Sequence, residues 1–484
     1  MRLLESALVL TVAFAAFLHL RNRSRRLTLV VTVAAATVCV LNLYVDGGRF
    51  QMLSVYGGLL LLVLLQIHLS LARITPLKFF RWGVVSSIFV LCMMTLVLSY
   101  ILPLFKLPKP TGPHPVGTRT FSLVDPSRRE QASSDPNARR ELVIQLWYPS
   151  EPSQYRREVY RRWAETSLYN SYQSGIRTNS RVDAPPARQE SAFPVVLFNP
   201  GWGGRRTSDT FLTEDLASHG YVVVSIDHPY NAAGVALPGG RLVKESASNI
   251  AFWDWASATS MQIEAAWSRE CDIWTADSSF VLDHLQAENA DPSSAFFRRL
   301  LITEVGAVGY SFGGSASLQV LGADSRVRSA INMDGWTINA LRNRTSSKPI
   351  MLLYEEASRP HPENLHSTND YQRIYAEIDA YDAAAINPSL KRYGGLRLYI
   401  AGTTHEDFTD QPLVSPLAAI SKRGAIAPAR MEAMVRAYIL AFLDQTLKGK
   451  KAPLLASDTA SPYHEVKSEV WPARDTKVEA PDPN

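Results

Sequence analysis

Gly309-Tyr-Ser-Phe-Gly313, continued by Gly314, fits the pattern G-x-S-x-G. The residues before it, Val305–Tyr310, read as a strand, and Gly313–Leu321 read as a helix. That is the context of a nucleophile elbow, in which glycines permit a sharp strand-to-helix turn and lift the serine hydroxyl clear of the sheet. The helix N-terminus also favours negative charge at Ser311. A serine hydroxyl needs a base, and the base needs an orienting carboxylate. In this arrangement the chain order is serine, acid, histidine. His361, His366, His405 and His464 follow Ser311. His464 falls in the polar tail, and His361 and His366 fall in a polar loop. His405 stands just past the strand Leu396–Ala401, where a strand-end loop can carry an imidazole over the nucleophile. Asp334 ends the strand Ala330–Asp334, and Glu355 or Glu356 ends the next one, Pro349–Tyr354. An aspartate between Met333 and Gly335 suits a buried orienter better than either of two adjacent glutamates. The oxyanion hole calls for two backbone N–H groups. They are expected from Phe312, next to the nucleophile, and from Trp202 in the turn Asn199-Pro-Gly-Trp-Gly-Gly204.

These residues must be positioned by a sheet. Pro194–Asn199, Tyr221–Asp227, Val305–Tyr310, Ala330–Asp334, Pro349–Tyr354 and Leu396–Ala401 are short apolar or β-branched runs. They alternate with helical stretches at Ser208–Ser218, Ile263–Gln286, Gly313–Leu321 and Arg430–Leu447. Two further strand-like runs, Thr120–Val124 and Glu141–Tyr148, come first. Continuous apolar strands alternating with helices imply a mostly parallel sheet covered on both faces. Sites in such folds lie beyond the carboxyl ends of the strands, where all the candidate residues fall. The predicted fold class is therefore α/β, an α/β-hydrolase fold. His219 and His228 precede the nucleophile and read as structural. Phe252, Trp253, Trp255 and Trp267 form an aromatic cluster that reads as packing, with an acyl pocket as the alternative. Tyr155–Ile176 reads as a helix, either lying in a membrane interface or solvated.

The chain resembles the platelet-activating factor acetylhydrolases of the plasma (lipoprotein-associated phospholipase A2) type over roughly 115–445. The resemblance rests on Phe193-Pro-Val-Val-Leu-Phe-Asn-Pro-Gly-Trp-Gly, Leu216-Ala-Ser-His-Gly-Tyr-Val-Val, Gly309-Tyr-Ser-Phe-Gly-Gly, Met333-Asp-Gly-Trp and Thr404-His-Glu-Asp-Phe. It implies a serine hydrolase acting on lipid-like carboxylic esters, with the triad acid after the strand that follows the nucleophile helix, which favours Asp334. Pro200-Gly201 stands where the family usually has His-Gly, and Tyr310 where it has His. Neither is a triad position, but both bear on substrate preference. Lipoprotein association does not carry over, because this chain begins with a segment that the secreted members lack.

That segment comprises four apolar stretches, at about 6–20, 27–45, 52–72 and 83–105. A helix needs about 20 apolar residues to cross a bilayer, so the first is short and the other three suffice. The first 105 residues hold nine Lys/Arg and only two acids, leaving 41 basic and 43 acidic residues in the remainder. The net charge of +5 is therefore a property of the apolar part, and a nucleic-acid partner is not expected. Arginines crowd 21–26, and Arg73, Lys78 and Arg81 mark the third loop. Positive loops stay on the cytoplasmic side, which puts the N-terminus and the large domain on the outer side of a cell membrane. Of three cysteines, Cys39 and Cys92 lie in apolar stretches and Cys271 alone in the domain, so no internal disulfide is expected there. No cysteine–histidine ligand set and no phosphate-binding Gly-Lys-Ser/Thr occurs, so neither metal nor cofactor is expected. Nothing in the sequence specifies an oligomeric state. The domain plan is a four-helix transmembrane region over 1–105, a Pro-rich linker over 106–116, a catalytic domain over 117–450 and a disordered polar tail over 451–484. The expected function is a membrane-anchored serine esterase or lipase whose partners are the bilayer and a lipid or small ester. A serine hydrolase of non-lipid or polymeric esters, thioesters or peptides, and a non-catalytic receptor reusing the fold, are the alternatives.

Overall fold

The computed structural model describes all residues except 22–23, 72–77, 189–191, 247–258, 457–460 and 473–484. The chain divides into two compact units. One comprises Met1–Lys106, Val159–Arg177 and Leu413–Ser421; the other comprises Leu107–Glu158, Thr178–Pro412 and Lys422–Asn484.

The first unit is built on α1 (Leu3–Leu20), α2 (Arg25–Val45), α3 (Leu53–Leu71) and α4 (Lys78–Ile101). With the turn Phe50–Met52 leading into α3, all four are long and apolar enough to cross a membrane. The fourth starts at Lys78, ahead of the apolar stretch 83–105, and stops at Ile101, short of the end of that stretch, where Pro103 follows. One end of the bundle is tied by polar groups. Arg49 bonds Glu5 at 2.7 Å through both Nε and Nη2, Arg2 donates to the Asp46 carbonyl at 2.6 Å, and Gln51 donates to the Leu102 carbonyl at 3.0 Å. Arg21, Arg25 and Arg26 belong to the opposite end. The segment Val159–Arg177 joins the tied end, with Tyr160 edge-on to Phe105 at 5.2 Å. The helix expected over Tyr155–Ile176 is absent. A short strand (Arg157–Val159) and two 3-10 turns (Trp163–Glu165 and Leu168–Gly175) take its place. Its serines and asparagine bond nearby backbone instead: Ser167 N–H donates to Asn170 Oδ1 at 2.7 Å, and Ser174 Oγ to the Ser171 carbonyl at 2.7 Å, a local competition that disfavours an α-helix.

The second unit carries the sheet. Its strands are β1 (Val116–Arg129), β2 (Arg139–Pro149), β3 (Arg157–Val159), β4 (Arg177–Val182), β5 (Phe193–Asn199), β6 (Val222–Asp227), the small ribbon β7 (Val235–Ala236) and β8 (Leu242–Val243), then β9 (Leu300–Tyr310), β10 (Val327–Met333), β11 (Ile350–Glu355), β12 (Gly395–Ile400) and β13 (Val466–Trp471). The spatial order is β13-β12-β11-β10-β9-β5-β6-β2-β1-β4-β3. From β12 to β6 every pairing is parallel; β2 and β13 flank this block antiparallel. Helices α5 (Thr210–Ser218), α6 (Ser260–Ala290), α7 (Phe312–Ala323), α8 (Asp370–Tyr393) and α10 (Pro428–Lys448) accompany the strands, while the short α9 (Ala418–Ser421) belongs to the first unit. Two apolar layers, one on each face, hold this unit: Val195, Leu197, Val281 and Leu282 belong to one, and Val196, Phe198, Met434 and Ile439 to the other. Successive residues of β5 thus point to opposite layers, as the strand period of two requires.

Three features depart from expectation. The tail expected to be disordered over 451–484 contains β13, which pairs with β12 from Gly395↔Trp471 to Ile400↔Val466; its charged residues are compatible with an edge strand, where one side meets water. The Pro-rich stretch is not a free connector. Thr111 donates to Asp215 Oδ1 from its N–H (2.7 Å) and its hydroxyl (3.0 Å), and Gly112 N–H donates to Ser218 Oγ (2.9 Å), which pins it to α5. Helix α8 fills a stretch between the strands Pro349–Tyr354 and Leu396–Ala401 for which no element was expected.

Candidate active site

Strand register brings the candidate residues together. Tyr310 at the end of β9 pairs with Met333 at the end of β10, and Asn199 at the end of β5 pairs with Gly309. Ser311 and Asp334 therefore leave adjacent strand ends, both with positive φ, 53° and 57°. Such backbone is costly for non-glycine residues and clusters at functional sites. It is held here by Ser311 N–H donating to the Met333 carbonyl at 2.8 Å and Asp334 N–H to the Leu353 carbonyl at 2.7 Å. The flanking glycines are required by contact. A Cβ on Gly309 would stand 2.1 Å from the Gly313 carbonyl oxygen, and one on Gly313 would stand 2.1 Å from the Asn199 carbonyl oxygen.

His405 opens a 3-10 turn, His405–Phe408, beyond β12. Asp407 fixes that loop by accepting the N–H groups of Thr404 and Gly424, each at 2.8 Å. The imidazole Nε2 lies 3.0 Å from Ser311 Oγ, and Nδ1 lies 2.6 Å from Asp334 Oδ2. Asp334 Oδ1 accepts from Glu355 N–H at 3.0 Å and from Ser358 Oγ at 2.7 Å. Serine, imidazole and carboxylate thus form one hydrogen-bonded line, and its carboxylate end is fully buried. Burial opposes charge on His405, but the hydrogen bond and charge of Asp334, with Glu406 and Glu355 beside it, outweigh this and raise its pKa above the ordinary histidine value. Glu355 is close to this line but does not take the acid's place. Burial and then the charge of Asp334 push its carboxyl up to about 7.

Ligand atoms of Asp334, Glu355 and His405 all lie within 4.8 Å of one another, so among the described residues this set could hold a metal ion. Two of its three members are already bonded to each other. His361 bonds Glu363 at 2.9 Å on an exposed turn, and His464 is exposed next to Glu465; neither joins Ser311.

Ser311, Phe312, Trp202, Asp334 and His405 line one cavity of about 260 Å3. The turn bearing Trp202 lies against the elbow: a Cβ on Gly201 would come 3.2 Å from the Ser311 Cβ. Of the far wall, only Trp267 was legible in the sequence, as a candidate acyl-pocket residue. The wall is formed by Trp336, by Tyr371, Tyr375 and Asp379 of α8, and by Trp267 of α6. Trp267 and Trp336 stack at 4.3 Å, Trp336 and Tyr375 lie 4.7 Å apart, and Trp336 Nε1–H donates to Asp379 Oδ1 at 2.7 Å. Burial raises the Asp379 carboxyl to about 6 despite that bond. Trp267 therefore faces the cavity rather than only packing, while Phe252, Trp253 and Trp255 lie outside the described residues. The signal for this wall was Asn369 as an N-cap followed by Tyr371, Ile374, Tyr375 and Ile378 at helical spacing; Asn369 Oδ1 accepts the Gln372 N–H.

This arrangement can deprotonate a serine hydroxyl as it attacks an acyl carbon and can return the proton to a leaving group. Comparison with known proteins agrees with that chemistry. A 413-residue alignment, 24% identical and covering 76% of this chain and 95% of the other, relates it to a probable 1-alkyl-2-acetylglycerophosphocholine esterase of Arthroderma benhamiae. The platelet-activating factor acetylhydrolase of Canis lupus familiaris is 23% identical over 246 residues, 46% of this chain and 53% of the relative. Among solved structures, a ferulic acid esterase from Streptomyces cinnamoneus superimposes with a TM-score of 0.60 at 29% identity, covering 75% of this chain and 99% of that one. The family described as platelet-activating factor acetylhydrolase, isoform II, matches residues 102–249 and 293–454. On that match the chain belongs to this family, and it is a carboxylic ester hydrolase.

Proposed function

We propose that the protein is a membrane-anchored serine hydrolase that cleaves lipid-like carboxylic esters on the outer side of a cell membrane. The observation that carries the mechanism is the line from Ser311 Oγ through His405 to Asp334, with contacts of 3.0 and 2.6 Å. Ser311 Oγ attacks the ester carbonyl while His405 Nε2 takes its proton. Asp334 holds the Nδ1–H tautomer and stabilises the imidazolium. The N–H groups of Phe312 and Trp202 receive the oxyanion. Collapse of the tetrahedral intermediate breaks the bond to the alcohol, which leaves with the Nε2 proton. Water, deprotonated by the same imidazole, then releases the acid and restores Ser311. No cofactor enters.

The lipid-like substrate is supported by the family, by the Arthroderma relative and by four helices able to hold the enzyme at a bilayer. The outer-side placement is supported by Arg21, Arg25 and Arg26 at one end of the bundle. A second reading, an ester with a planar aromatic acyl group, has its own observation: a cavity walled by Trp267, Trp336 and Tyr375 in a chain of which 75% superimposes on a ferulic acid esterase. The full-length protein in nanodiscs is labelled with an impermeant fluorophosphonate and assayed on short-acyl phospholipid and on methyl ferulate. Labelling and hydrolysis are expected, with phospholipid preferred, and both vanish in Ser311→Ala. Hydrolysis that persists in Ser311→Ala sinks the mechanism, and a preference for ferulate selects the second substrate.

A further inference from the structure

Behind the turn that carries Trp202 lies a second histidine–carboxylate pair that the chemistry above leaves unused. His228, just past β6, is buried, and its Nδ1–H donates to Asp277 Oδ2 at 2.8 Å. Asp277, on α6, is itself gripped by Arg140 from β2 at 3.1 and 2.6 Å and by Arg128 at 2.9 Å. Burial alone would raise its carboxyl, yet Arg140 and His228 hold it far below the carboxylate range. The acceptor is therefore an anchored charge.

From this anchor, two routes lead to Trp202 and Phe312, the residues assigned above to the oxyanion hole. The first runs through hydrogen bonds. The Asn199 side-chain amide lies 3.2 Å from His228 Nε2, the lone-pair nitrogen of the neutral ring, and bonds it by presenting its NH2; the same amide meets Ser278 Oγ of α6 at 3.3 Å and Ser317 Oγ of α7 at 3.1 Å, hydroxyls that can donate or accept. Asn199 is the last residue of β5, and the turn to Trp202 springs from it. The second route runs through rings. The His228 ring stacks on Trp274 with centroids 3.8 Å apart and planes at 11°. Trp274 in turn lies parallel to Trp202 at 6.4 Å and edge-on to Phe312 at 4.9 Å. The far side of the turn is tied to the same loop, since Gly203 N–H donates to the Asn231 carbonyl at 2.9 Å and Asn231 Oδ1 accepts from Trp274 Nε1 at 3.3 Å.

We propose that His228, anchored by Asp277, is a positioning residue for the oxyanion hole, aiming the Trp202 and Phe312 N–H groups through Asn199 and the Trp274 ring. The proposal rests on the serine-hydrolase reading above. An oxyanion donor acts only when it is preorganised 2.7–3.1 Å from the developing charge, and loss of one costs about 10²–10³-fold in kcat. A mis-aimed pair should therefore weaken the transition state and leave ground-state binding alone.

The test uses the full-length protein in nanodiscs, with kcat expressed per fluorophosphonate-titrated site so that misfolded molecules do not count. His228→Ala is expected to lower kcat about 10- to 100-fold with KM within about twofold. The affinity for a trifluoromethyl ketone, whose serine adduct carries an oxyanion, should fall in parallel with kcat/KM. His228→Gln should recover part of the loss. Trp274→Phe, a milder change, gives the same signature at about 3- to 10-fold and serves if His228→Ala does not fold. Unchanged kcat per titrated site and unchanged ketone affinity in a folded variant of either residue overturn the proposal, leaving a purely structural pair. Failure of the wild-type protein to label, or activity surviving in Ser311→Ala, instead rejects the underlying reading.

Discussion

Two histidine–aspartate pairs of nearly equal geometry sit on either side of β5, and on the mechanism proposed above they do different work. In one, His405 Nδ1 approaches Asp334 at 2.6 Å; in the other, His228 Nδ1 approaches Asp277 at 2.8 Å. The difference is in what surrounds them. The His405 side chain is 41% exposed and meets a serine hydroxyl and an open cavity, whereas that of His228 is 1% exposed and meets an amide and a tryptophan face. Their titration moves in opposite directions. Burial opposes the charged form of both rings, but at His405 the carboxylates prevail and raise the pKa, while at His228 burial, reinforced by the positive charge of Arg140, keeps it lowered. A pair becomes a general base only where its proton has somewhere to go. Where both nitrogens are spoken for and the carboxylate is neutralised by arginine, the same two residue types make a brace.

The sharpest way to break this contrast is to blunt each carboxylate. Asp334→Asn should lower kcat/KM by roughly 10⁴-fold, through loss of the correct imidazole tautomer, and change unfolding stability by less than about 1 kcal/mol. Asp277→Ala should do the reverse in emphasis. It removes one of the two buried carboxylates that pair with Arg140, leaving Glu130 at 2.8 Å, and should cost about 3 kcal/mol, read as a lowered denaturation midpoint of the catalytic unit. Equal stability losses in the two variants would erase the distinction.

The pH dependence sharpens it further. His405 must be neutral to act as base, so activity falls as pH drops through its raised pKa. The acid limb of kcat/KM is expected to have its midpoint above 6.5, the ordinary histidine value. Glu355→Gln removes one of the negative charges that raise it and should move that limb to lower pH by less than about one unit. In His228→Gln the limb should stay where it is, because His228 takes no part in proton transfer. The smallest effect is expected at the cavity wall. Trp336→Phe removes the indole N–H bond to Asp379 and should cost about 1 kcal/mol in substrate binding, visible as a several-fold rise in KM with kcat unchanged.

The sequence disclosed these two pairs unequally, for a physical reason. Ser311, Asp334 and His405 each follow a short apolar run that ends at a glycine-containing turn, so their position along the chain already says that they stand at strand ends. His228 also follows such a run, but nothing local couples it to Asp277 and Arg140. They are 49 and 137 residues from their partners and look like ordinary polar residues of a loop, a helix and a strand. The parallel core was legible because strands buried on both faces read as continuous apolar runs. Helix α8 was partly hidden by its polarity and by Pro388 within it. Edge strand β13 was hidden because Lys467, Ser468 and Glu469 resemble the composition of a disordered tail.

The assignment of Val159–Arg177 and Leu413–Ser421 to the helical unit has a practical consequence. The chain passes between the two units five times, so no single cut separates an anchor from a soluble enzyme. A version starting at Leu107 would still carry the segment around Tyr160, Tyr172 and Ile176, all buried in the full chain, but would lose Phe105 and the helix ends that share its unit. Such a truncation is expected to expose apolar surface and aggregate, whereas a version that also replaces 159–177 and 413–421 with short polar loops should remain dispersed. Solubilising this enzyme is therefore a matter of three edits, not one.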